Sequence, residues 1–223
     1  MTTSDAMPEL VRRERAAFID TLEALTTEQW SAHSLCSEWR VVDVAAHLAW
    51  APVLGAAAGM AAVVRNGFSM NRMIASSAVG WSARGQDAIL AQLRLNLASG
   101  AKPIGMPTVA ALADAVVHGI DVRRPLGLER AIPADVLGPV TEFALGTPWP
   151  MNAVVGGSAK RRLAGVRLVA TDVDWSHGAG PEVQATAETV ARLVYGRPVS
   201  PDELTGPGAR VLLGRLGQAT RAQ

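Results

Sequence analysis

Cysteine, lysine and phenylalanine are scarce in this chain of 223 residues. A single cysteine, Cys36, excludes a disulfide framework and any cysteine-built zinc finger, and it fits a reducing cytoplasm. Lys102 and Lys160 are the only lysines, so the basic residues are nearly all arginine. With abundant Ala, Gly and Val, that is the mark of GC-rich coding and carries no function. An excess of either charge is missing too: 21 basic residues face 20 acidic ones, for a net charge of +1. No electrostatic footprint for nucleic acid is left. Charged residues at 18% exclude long disordered tails, and 49% apolar residues are ample for a core.

No apolar run marks a signal peptide in MTTSDAMPELVRRERAAF. The longest uncharged stretch, Leu48 to Val64, has 17 residues and is diluted by Ala, Gly and Pro52. It reads as a buried bundle helix rather than a membrane span.

What is present is mostly helical periodicity. Leu10, Ala17, Leu22 and Leu25 give one face to a first helix that has Pro8 in its opening turn. A polar connection, SAHSLCSEW, leads to a long helix expected from about Val41 to Val64, ended by Asn66-Gly67. A third region runs from Met70 to Leu97, with Gly80 and Gly85 as interruptions, and a fourth from Thr108 to about Arg124. A shorter helix follows from Pro133 to Leu145. Past the proline-rich TPWPMN the texture changes, and alternation around Val166, Leu168 and Ala170 predicts two or three strands. Helical spacing returns over Glu182–Val194 and again over Asp202–Leu216. The expected fold is mainly α: a four-helix bundle over 1–147, then a small α+β domain over 153–223.

Chemistry falls on few residues. Of the four histidines, His33 lies in the polar connection and His177 in a Gly-rich turn, where a structural role is expected. His47 sits on the apolar face of the second helix and His118 on the fourth. Asp114 precedes His118 by four residues, which places both on one helix face. A carboxylate–imidazole pair with a third ligand from a facing helix is how a bundle builds a metal site, and three ligands leave one position open. The plainer alternative keeps both histidines as hydrogen-bonded core residues and pairs Asp114 with Arg123 or another arginine. Asp43 either orients His47 or complements the helix dipole. Asp121 either backs the ligand stripe or pairs with Arg124. Cys36 is expected to pack beside Trp39 and not to act as nucleophile.

HSLCSEWRVVDVAAHLAW and LADAVVHGIDVRRPLG, followed by ATDVDWSHGAGPEV and LVYGRPVSPDELTGPG, resemble the ordered motifs of the mycothiol-dependent maleylpyruvate isomerase family. That family lies within the DinB-like superfamily, and the resemblance is to its actinobacterial type with a small C-terminal domain. It implies a DinB-like bundle with His47, Asp114 and His118 as metal ligands. The characterised members have Glu where this chain has the shorter Asp114. It also implies a divalent metal, with Zn²⁺ expected, and mycothiol or another low-molecular-weight thiol as cofactor. Arg197, matching the family's Gly-Arg at the end of a C-terminal helix, is implied to bind a substrate carboxylate. Capping of helix carbonyls by Arg197, or the same job done by Arg192, Arg210 or Arg215, stays open. The expected function is a thiol-dependent isomerase or S-transferase on a small electrophilic substrate, in a cytoplasmic monomer or homodimer. The alternative is a metal- or ligand-binding protein without turnover, since the C-terminal unit also resembles sterol-carrier-like domains.

Overall fold

The computed structural model describes residues 3–220. The chain divides into two compact units, Met1–Glu129 and Arg130–Gln223.

The first unit holds α1 (Thr3–Glu23), α2 (Thr27–Ser31), α3 (Val41–Trp50), α4 (Ala56–Arg65), α5 (Met70–Ser82), α6 (Gln86–Ser99) and α7 (Thr108–Arg123). α1, α6, α3 and α7 pack in a closed ring, each touching the next, and that ring is the expected four-helix bundle. Phe18, Ile19 and Leu22 of α1, Val41, Val44 and Ala45 of α3, and Ile89 and Leu93 of α6 fill its centre. Small residues on α3 and α7 let these helices approach closely, and α7 is buried along nearly its whole length.

The long second helix expected over 41–64 is broken. α3 stops at Trp50, a 3-10 turn spans Ala51–Val53, and α4 starts at Ala56. The cause is Pro52, which has no N–H to give the Leu48 carbonyl four residues back. Asn96 of α6 takes over: its Nδ2 donates to the Leu48 carbonyl at 3.3 Å and the Ala49 carbonyl at 2.7 Å, while its Oδ1 accepts from Gln92 Nε2 at 2.9 Å. Asn96 is 2% exposed, so this amide closes a buried helix end. The third expected helix also divides, between Ser82 and Gln86, where Gly85 adopts φ +87° at the N-cap of α6. Gly80, the other expected interruption, lies inside α5.

The second unit holds α8 (Ala134–Gly146), α9 (Ala159–Leu163), β1 (Arg167–Ala170), β2 (Ser176–Gly178), β3 (Glu182–Ala185), α10 (Ala187–Val194) and α11 (Ala209–Thr220). α8 packs on α9 and α10, so it belongs with the α+β part, and the proline-rich 147–152 segment falls inside this unit. The sheet order is β2-β1-β3, with β1 antiparallel to β2 and parallel to β3. Glu182–Ala185, expected to be helical, is a strand whose alternate residues Val183 and Ala185 are buried. The helix begins only after Thr186, whose hydroxyl caps it by accepting from the Thr189 N–H.

Where α10 ends, two backbones cross. Gly156 (φ +95°) and Gly196 (φ +67°) approach so closely that a Cβ on Gly196 would stand 2.7 Å from the Gly156 carbonyl oxygen. The Arg162 guanidinium donates to the Gly156, Leu193 and Val194 carbonyls. Tyr195 Oη donates to the Val140 carbonyl at 2.8 Å and ties α10 to α8.

Candidate metal centre

α7 lays Asp114, His118 and Asp121 along one stripe, at intervals of four and three residues. The connection before α3 folds back on itself to meet it. Ser34 and Trp39 pair across the turn, the Ser34 Oγ accepts from the Cys36 N–H at 3.1 Å, and the Leu35 N–H donates to the Asp121 carbonyl at 2.9 Å. Arg40 and Asp43 then start α3: the Asp43 carboxylate accepts from the Arg40 backbone N–H at 2.9 Å and from its guanidinium at 3.1 Å. Burial pushes the Asp43 carboxyl up, but Arg40, with the Ser82 hydroxyl of α5, outweighs it and holds the group below the ordinary carboxylate range. Asp43 thus joins the start of α3 to α5, and it is not a partner of His47 Nδ1.

The two histidines that the sequence pairs are brought together. His47 on α3 and His118 on α7 meet edge to face with ring centroids 5.1 Å apart. Trp39 packs on both, at 5.3 Å from His47 and 5.9 Å from His118.

Their environments push them in opposite directions. Burial, aided by His118, lowers His47 to about 3, so its imidazole is neutral at physiological pH. Burial also opposes a charge on His118, but the Asp121 carboxylate and Cys36 together overcome it and raise this ring to about 10. Asp121, with no exposed surface, accepts from His118 Nδ1 at 2.9 Å and from Cys36 Sγ at 3.1 Å, both at Oδ2. These contacts place Asp121 directly behind His118 on the stripe.

Cys36, His118 and Asp121 are the trio of donor side chains, among the described residues, whose ligand atoms all lie within 4.8 Å of one another. Of the expected ligands His118 alone belongs to that trio; His47 and Asp114 are both outside it. Asp114 lines a small cavity of about 20 Å³ with Arg15 and Phe18 of α1, Leu48 and Pro52 beyond His47, and Asn96. Burial lowers the Arg15 guanidinium and the Asp114 charge opposes the effect. Arg15 went unread in the sequence because no local pattern joins it to a residue 99 positions later.

One observation bears directly on metal binding: His47 Nδ1 is buried and has no hydrogen-bond partner. A neutral imidazole with an unpartnered buried ring nitrogen, beside a second imidazole whose Nδ1 is already engaged by a carboxylate, offers the kind of nitrogen donors a zinc-type cation takes.

In the second unit, Arg197 follows Gly196 at the end of α10, half-buried. Its guanidinium donates to the Tyr195 carbonyl at 3.4 Å, a long contact. Arg192 is buried and ion-paired with Glu188 and Glu203, and Arg215 donates to the Arg162 and Ala164 carbonyls. Both are occupied within the fold.

The bundle thus presents two imidazoles from facing helices, one of them backed by a buried carboxylate. The model of the mycothiol maleylpyruvate isomerase N-terminal domain matches residues 11–123, and the chain belongs to that family. Two solved structures share the fold over 92% of this chain and 93% of theirs, at 14% identity. They are the mycothiol-dependent maleylpyruvate isomerase, with a TM-score of 0.61, and a histidine-to-alanine mutant of it, with a TM-score of 0.59. No curated protein matches the chain. Among the described residues no helix is long and apolar enough to cross a membrane.

Proposed function

We propose that this chain is a metal- and thiol-dependent isomerase or S-transferase acting on a small electrophilic substrate. The observation that carries the reading is the buried, unpartnered Nδ1 of His47 beside His118. His47, His118 and, from one turn earlier on α7, Asp114 are the proposed ligands of a divalent cation, with Zn²⁺ the expected ion. When bound, that cation would hold an external thiol, mycothiol being the expected one, as a thiolate able to add to an electrophilic carbon.

The chain's own residues prepare this. Asp121 keeps the proton of His118 on Nδ1, so the ligand lone pair is at Nε2. His118 Nε2, which otherwise carries the second proton, would be the atom that holds the cation. Trp39 covers both rings and keeps water from their flanks. Arg197 is proposed to clamp a substrate carboxylate through its planar guanidinium. A cytoplasmic site of action fits the lone free cysteine.

Elemental analysis of untagged protein, together with turnover of model electrophiles with and without added thiol, tests the proposal. One divalent ion per chain and thiol-dependent turnover are expected. Tight ligand binding without turnover would favour the non-enzymatic alternative, and a metal-free chain that still turns over substrate would refute the ligand assignment.

A further inference from the structure

The Asp121 carboxylate has a second partner that the proposed chemistry leaves unused. Cys36 reaches it from the turn before α3, 85 residues away in sequence, and the contact lands on the same oxygen that holds His118. The arrangement is pinned from both sides. The Leu35 N–H donates to the Asp121 backbone carbonyl, and the Ser34 hydroxyl accepts from the Cys36 N–H, so the thiol is presented by a braced turn and not by a free loop. Asp121 is fully buried, and a buried carboxylate oxygen depends on such donors to stay in one rotamer.

We propose that Cys36 is a positioning residue for His118: its thiol, donating to Asp121 Oδ2, fixes the carboxylate that holds His118 Nδ1, and so sets how firmly Nε2 is offered to a cation. The inference rests on the assignment of His118 as a ligand made above. It gives Cys36 a role that is neither nucleophile nor ligand. Cys36 Sγ–H donates to Asp121 Oδ2, which holds His118 Nδ1–H, and the Cys36 sulfur also stands against the His118 ring itself. Carboxylates that orient a ligating histidine affect metal affinity nearly as much as the ligands do. A group that orients the carboxylate acts through the same lever.

The test uses the full chain in three variants. Cys36→Ala and Cys36→Val remove the donor, the second of them while filling most of the volume, and Cys36→Ser restores a hydroxyl donor. Two quantities are read: zinc affinity by competition with a chromophoric chelator, and solvent exchange of the His118 Hδ1 proton by NMR of the metal-free protein. Cys36→Ala and Cys36→Val are expected to weaken zinc binding about tenfold and to speed Hδ1 exchange by a similar factor, with Cys36→Ser close to the parent. Unchanged affinity and exchange in both donor-less variants overturn the proposal. So does a sulfur-to-cobalt charge-transfer band in the cobalt-loaded parent that Cys36→Ala abolishes, because Cys36 would then be a ligand. A parent that takes up no zinc refutes the metal reading instead. Hδ1 exchange then decides the role of Cys36 alone: faster exchange in Cys36→Ala upholds the link to His118, and unchanged exchange sinks it.

Discussion

Among the described residues, replacing Asn96 removes the side-chain donor that caps the broken end of α3. Its Nδ2 satisfies the Ala49 and Leu48 carbonyls, and Pro52 rules out the ordinary helical donor for Leu48. Each buried carbonyl left without a donor costs about 1–3 kcal/mol. The 3.3 Å contact to Leu48 is the weaker of the two, so Asn96→Leu, which keeps apolar volume, should cost about 2–4 kcal/mol. That is a large share of the roughly 5–15 kcal/mol that holds a typical domain folded. Urea denaturation, with an unchanged slope, reads the loss as a lower midpoint. Pro52→Ala returns an N–H beneath the Leu48 carbonyl. In that background the cost of Asn96→Leu should shrink by about 1 kcal/mol, a coupling that a double-mutant cycle isolates. A cost below about 0.5 kcal/mol in the parent background, or no coupling to Pro52, refutes the account of why α3 ends where it does.

His118→Ala should lose most bound metal after chelator challenge, since two ligands on different helices hold a cation poorly; equal metal content in variant and parent would reject His118 as a ligand. The metal-free protein should have a stability maximum near pH 6.5. Below it His47, held at about 3 in the folded state, leaves the unfolded chain binding more protons, so stability falls as pH drops from 6.5 towards 3. Above it His118, held at about 10, keeps a proton that the unfolded chain has lost, so stability falls as pH rises towards 10. His47→Gln should flatten the acid limb alone, and Asp121→Asn the alkaline one, in denaturation series across pH. Arg197→Met should raise the substrate KM and leave metal content untouched; unchanged kinetics would move Arg197 from the site to the scaffold.

Much of this architecture was legible because it is local. The four bundle helices follow from apolar spacing, and the Asp114–His118–Asp121 stripe from helix geometry. β1 shows itself by alternation, with Leu168 and Ala170 buried and Arg167 exposed. The failures have a common cause in distant partners. Pro52 is visible in the sequence, but whether a helix bends or stops there depends on Asn96, 48 residues beyond Leu48. β3 has four residues, too few for alternation to compete with the helical pattern of the α10 segment that follows. The link from Cys36 to Asp121 and the influence of Asp114 on Arg15 span whole helices, and neither residue type advertises its partner.

The crossing of Gly156 and Gly196 bears on how any tolerance map of this protein should be read. In saturation mutagenesis scored by abundance, both positions should behave as glycine-only columns, because any Cβ collides with the opposite backbone. Gly196 stands immediately before Arg197, so a Gly-Arg pair surviving in relatives would carry two independent signals. The glycine would be kept by sterics at a crossing that every folded copy must make. The arginine would be kept by what its guanidinium binds. Only the column at 197, scored for activity with 156 and 196 intact, separates the two.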